Sequence, residues 1–134
     1  MEEYAPKIPI YLILLFTAIT FLQSGLDKIF DWSGNLNWLT GHFKGSFLGR
    51  MVPMLLVIIL ILEVLSGILA LYGIFMLWLY AQAETALWAL VLAGVTLLML
   101  LFGQRIAKDY AGAFTICGYF LVVILGIYMV SRVS

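Results

Sequence analysis

The stretch Met51-Val-Pro-Met-Leu-Leu-Val-Ile-Ile-Leu-Ile-Leu-Glu-Val-Leu-Ser-Gly-Ile-Leu-Ala-Leu-Tyr-Gly-Ile-Phe-Met-Leu-Trp-Leu-Tyr80 decides the fold. It runs through thirty positions with one Asp, Glu, Lys or Arg among them, Glu63. About 20 consecutive apolar residues suffice for a helix to cross roughly 30 Å of hydrocarbon. A span of 51–80 is longer than that, and so is expected to tilt or to project from the bilayer. Pro53 stands in its first turn, where a missing N–H is harmless. Hydrocarbon offers no partner to backbone N–H and C=O groups, so the stretch must be α-helical.

Three further apolar runs flank it, over about 8–28, 86–103 and 110–130, and none shows the period-2 alternation of a barrel strand. Of the 134 residues, 65% are hydrophobic and 10% charged, with a mean hydropathy of +1.14. A soluble domain carries about 25% charged residues, so the composition excludes one. Seven Lys and Arg balance seven Asp and Glu. With no basic block, nucleic acid is not an expected partner. A single cysteine, Cys117, excludes an intramolecular disulfide, a CxxC redox pair and a Cys-rich zinc site. The expected fold is therefore all-α and polytopic: one domain over 1–134, with four transmembrane helices in a compact bundle. The start, Met1-Glu2-Glu3, lacks the positive segment of a secretory signal, so the first run is read as a retained helix.

Aromatic residues mark the interfaces. Trp32, Trp38 and Tyr110 fall on one side; Tyr11, Trp78, Tyr80, Trp88 and Tyr128 fall on the other. Lys28, Lys44, Arg50, Arg105 and Lys108 share the first side, against Lys7 and Arg132 opposite. By the positive-inside rule the two longer connections are cytoplasmic and both termini are not. Within the 29–50 connection, Leu36, Leu39, Phe43 and Phe47 recur at helical spacing, with Asn35, His42 and Lys44 directed elsewhere. This predicts a short helix lying on the membrane surface, capping the bundle or serving as a lid. Glycines 67, 73, 94, 118 and 126 lie inside spans, where small residues let backbones approach.

Glu63 carries the strongest chemical signal. An ionisable residue about 15 Å into a span faces the bundle interior, a partner or a water-filled cavity. Two arrangements are open: a neutral acid tied to Thr17 or Thr20 on the antiparallel first helix, or a pair with Lys28. Lys28 either snorkels to the surface or reaches inward past Gly25. Gln23 and Asp27, four apart, share a helical face, as do Arg105 and Asp109. Gln23, Asp27, Lys28, Arg105 and Asp109 therefore gather at one membrane face above Glu63, the one end where polar groups converge. His42 alone is a poor metal ligand. The chain has no phosphate loop, Ser-His-Asp set, HExxH motif or haem-ligating His pair, so neither metal nor haem is expected.

These residues also carry a resemblance. Phe21-Leu-Gln-Ser-Gly-Leu-Asp-Lys-Ile29 resembles the f-x-x-s-G-x-x-K-l ending of the first helix in the DoxX family. Glu63-Val-Leu-Ser-Gly-Ile-Leu-Ala-Leu-Tyr-Gly73 is similar to that family's second helix, and Gly103–Gly112 to its third connection. The resemblance covers nearly the whole chain. It implies a four-helix bundle in a bacterial inner membrane, with Gly25, Lys28, Glu63, Gly67, Arg105 and Asp109 as the matching positions. It also implies association with redox partners, since the family is named for a relative of a thiosulfate:quinone oxidoreductase subunit. Related four-helix proteins that exchange thiols use a cysteine pair, which Cys117 alone does not supply. Three functions follow as expectations. The leading one is an accessory subunit binding a partner protein or a quinone-like lipid. The others are a proton-coupled transporter acting as a homodimer through Glu63, and an assembly factor or scaffold for another membrane complex.

Overall fold

A computed structural model describes residues 7–133, so the opening Met1-Glu2-Glu3 lies outside them. Five α-helices follow one another: α1 (Ile8–Phe30), α2 (Trp32–His42), α3 (Val52–Tyr80), α4 (Glu84–Ile106) and α5 (Tyr110–Val133). All but α2 are long and apolar enough to cross a membrane. The chain is thus a multi-pass, membrane-embedded all-α protein, its outer faces carrying Leu, Ile, Phe and Trp toward lipid. No strand occurs among the described residues.

The helices run up and down in chain order: α1 packs on α3, α3 on α4 and α4 on α5, with α5 closing lightly onto α1. Lipid is as apolar as leucine, so the hydrophobic effect does little to hold such helices together. Close contact does the work instead, and small residues fill the seams: Ala70, Ala86, Ala89 and Ala93 are buried in the core. The α3–α4 turn closes over Ala81, which takes a left-handed conformation (φ 53°) and caps α3 by donating its N–H to the Met76 carbonyl. Glu84 then opens α4 where the helix dipole favours a carboxylate. For this reason α4 begins two residues before the apolar run at 86, and it continues through Gln104–Ile106 beyond the run's end at 103.

The surface helix is shorter than its apolar spacing predicts. Asp31 starts α2 by accepting the Gly34 N–H at 3.3 Å. The helix ends at His42, with Phe43 as its C-cap, and Gly45 (φ 88°) turns the chain away. Phe47 therefore leaves the helical face that Leu36, Leu39 and Phe43 share and stands 68% exposed. Asn35 and His42, expected to point elsewhere, both turn toward the bundle: the first to the end of α1, the second to the end of α4. In this way α2 roofs one end of the bundle.

Candidate functional site

Glu63 lies eleven residues beyond Val52, about 16 Å along α3, and is 2% exposed. Its partner is Lys28: Nζ stands 2.8 Å from Oε1, with the lysine side chain 16% exposed. The ammonium donates a directed hydrogen bond to Ser24 Oγ at 2.8 Å. Its contact with Glu63 is one of charge, because the approach to Oε1 is off the hydrogen-bonding direction.

The geometry has a simple origin. Every Cα–Cβ bond in a helix leans toward that helix's N-terminus. On α1 this points Lys28 down into the bundle, away from the surface it would have to reach to snorkel. On antiparallel α3 it points Glu63 up. The two side chains meet from opposite directions, and Lys28 continues the buried face of α1 that runs through Leu14, Thr17, Phe21 and Gly25. Of the two arrangements open for Glu63, the structure has the ion pair. Thr17 instead donates to the Ile13 carbonyl at 2.8 Å.

The remaining expected site residues divide. Gln23 and Asp27 lie on the opposite side of α1 and are exposed, so they do not join Glu63. Arg105 is exposed as well and lies over the Tyr110 ring, 5.1 Å from its centroid, rather than against Asp109. Asp109 caps α5, accepting the Gly112 N–H at 2.9 Å. Gly25 and Gly67 are both in the α1–α3 seam: a Cβ at Gly25 would come within 2.9 Å of Val64 Cγ2, and one at Gly67 would run into Leu22. Lys28 thus reaches inward past Gly25 although that glycine is itself a tight contact.

A second polar group was not legible in the sequence. His42 Nε2 lies 3.0 Å from Gln104 Oε1 and 3.7 Å from Asp109 Oδ2, and its ring stacks on Trp38 at 4.5 Å. Sixty-two residues separate His42 from Gln104, and no local spacing announces such a contact. It ties the roof to the α4–α5 turn. Replacing Asp109 with Ala is expected to cost about 0.5–2 kcal/mol, the usual value of an N-cap. The loss should appear as earlier unfolding and as faster amide exchange in the first turn of α5.

Beneath α2, between α3 and α4, lies a groove of about 540 Å³. Val52, Leu55, Leu56 and Ile59 form its α3 wall; Val95, Leu98, Met99 and Phe102 form its α4 wall. Trp38, Leu39 and Phe43 cover it, and Lys28, Asn35 and Gln104 give it a polar end. Val95, Leu98 and Phe102 are among the exposed apolar residues of α4, so the groove opens sideways to lipid. Lys28 is shared between groove and ion pair, which makes Glu63 the residue that holds the groove's cation in place.

Comparison with protein-family models, with curated proteins and with solved structures finds no match.

Proposed function

We propose that this chain is a DoxX-like accessory subunit of a redox-linked complex in a bacterial inner membrane, and that its groove holds a quinone or a similar lipid-like ligand. One observation carries the ligand half of this reading: an apolar, laterally open groove with the largely buried Lys28 ammonium among its few polar groups. Small-molecule sites occupy about 300–1,000 Å³, with mostly apolar walls and a few placed polar groups, and the groove matches on each count. A quinone's ring carbonyl accepts hydrogen bonds, and Lys28 donates them. Its prenyl tail would follow the α3 and α4 walls outward to lipid. The accessory role rests on the resemblance of 21–29, 63–73 and 103–112 to the family. A cytoplasmic α2 end is part of this reading, supported by Lys28, Lys44, Arg50, Arg105 and Lys108 through the positive-inside rule.

Mass spectrometry of the protein solubilised gently from native membranes tests the reading. A retained quinone or lipid of about one per chain, or a co-purifying redox subunit, is expected. The variant Leu98→Trp, which fills the groove from its exposed α4 wall, should lower retained ligand by about tenfold, equivalent to about 1.4 kcal/mol. Preparations holding neither ligand nor partner would overturn it.

A further inference from the structure

The head end of the groove can be read by counting hydrogen-bonding capacity. Lys28 has three N–H donors. One goes to Ser24 Oγ at 2.8 Å, and a second lies on the Glu63 side without a directed hydrogen bond, the nitrogen standing 2.8 Å from Oε1. The third has only a 3.5 Å contact to the Ser24 carbonyl, at the weak limit of a hydrogen bond, and is available to a ligand. Asn35 is the complement. Its Nδ2 carries two hydrogens, directed to the carbonyls of Asp31 at 2.8 Å and Asp27 at 3.3 Å. Both carbonyls already accept a backbone N–H, from Asn35 and Asp31 respectively, so the amide adds a second donor to each and leaves Oδ1 as the atom Asn35 can offer. Gln104 Oε1 is engaged by His42, and its amide nitrogen packs beside Gly112. Lys28 as donor and Asn35 Oδ1 as acceptor both belong to residues that line the groove.

Charge narrows the choice further. The positive charge of Lys28 is already balanced by Glu63, which is 2% exposed and fixed in the α1–α3 seam. An anionic head group on Lys28 would set a second negative charge within a few ångströms of that carboxylate, where low dielectric makes like charges repel strongly. The two other cations at this end that the third connection supplies, Arg105 and Lys108, are exposed and turned outward.

We infer that the groove selects an uncharged, long-chain lipid whose head bears a hydroxyl, accepting from Lys28 Nζ and donating to Asn35 Oδ1. This rests on the groove being a ligand site, and deepens that reading by naming the head group. Within that reading it favours the reduced, hydroxyl-bearing quinol, or another neutral hydroxyl lipid, over the oxidised quinone, which only accepts, and over fatty acids and anionic phospholipids.

Three hexadecyl probes with a photoreactive diazirine in the chain separate the possibilities: the alcohol, its methyl ether and the sulfonate. The protein is labelled in lipid nanodiscs and the labelled peptides are identified by mass spectrometry. Labelling assigned to Phe114 and Leu125 of α5, outer residues that face lipid and line no groove, reports chain contact outside the groove. The alcohol is expected to label the groove walls of α3 and α4 at least about tenfold more than either other probe, relative to α5. Labelling by the ether equal to the alcohol would overturn the donor requirement, and equal labelling by the sulfonate would overturn the selection against charge. In either case the groove would still stand as a lipid site. If no probe labels the groove above α5, the groove reading itself fails and takes this inference with it. Asn35→Leu should abolish the preference for alcohol over ether while chain labelling persists. The double variant Lys28→Met with Glu63→Met should weaken alcohol and ether alike. A preference unchanged in both variants counts against the assignment.

Discussion

Replacing Lys28 with methionine is expected to destabilise the bundle by about 3–5 kcal/mol, the usual cost of removing one partner from a buried ion pair. Glu63 is 2% exposed and sits mid-span, so its carboxylate would be left without a counter-charge and without a route to water. Glu63→Met should cost less. The orphaned Lys28 is 16% exposed and two residues from the end of α1, and its long stem can swing to the interface. The double variant, Lys28→Met with Glu63→Met, should return to within about 1–2 kcal/mol of the parent, because well-packed apolar side chains of similar volume replace a buried pair with little loss. Ordinary interhelical hydrogen bonds in membranes couple by only about 0.6 kcal/mol on average. A coupling of several kcal/mol would therefore identify a charge pair. Reversible unfolding of the four proteins in mixed micelles gives the cycle. Two additive single effects would mean that the residues are neighbours without being partners.

The same pair shows which parts of the architecture could be read from sequence. Four spans were legible because hydrocarbon thickness imposes a length and a composition on each of them. The depth of Glu63 followed from counting along α3. The inward course of Lys28 was also encoded: Leu14, Thr17, Phe21, Gly25 and Lys28 recur every three or four residues along one face, and antiparallel packing fixes the lean of both side chains. Reading Gln23, Asp27 and Lys28 as one polar cluster missed this, because neighbours in sequence are spread around a helix. Asp27 lies two residues from Gly25, about 200° around the helix, and so emerges on the exposed side. The contact between His42 and Gln104 is of another kind. It depends on where α2 stops, and that is set by the turn at Phe43 and the positive φ of Gly45. The apolar spacing through Phe47 carried the predicted helix past that point. The groove was equally hidden, since it is made by surfaces of α2, α3 and α4 that no single segment reveals.

Gly73→Ala is expected to cost a net of up to about 3 kcal/mol, and the reason separates it from the other glycines in the spans. A Cβ at Gly73 would lie 2.8 Å from the Cα and 3.0 Å from the backbone nitrogen of Ala86. Backbone in the first turn of α4 cannot rotate aside, so α3 and α4 must part. Such overpacking costs 1–3 kcal/mol, set against a gain of up to about 1 kcal/mol from replacing glycine within a helix. At Gly25 the obstacle is Val64 Cγ2, and at Gly126 it is the ends of Ile13 and Leu90. These are side chains that can shift, so alanine there should cost less than at Gly73. At Gly118 nothing lies within 4 Å of the added methyl, and alanine should be neutral or stabilising by up to about 1 kcal/mol. The expected order of stability is therefore Gly118→Ala, then Gly25→Ala, then Gly73→Ala, spanning about 1–3 kcal/mol from end to end, since the helix gain is common to all three. Unfolding midpoints in a common detergent measure it. A Gly73→Ala protein as stable as Gly118→Ala would mean that α3 and α4 do not meet backbone to backbone at their shared turn. The groove between them, which depends on that turn holding their far ends together, would then lose its wall geometry.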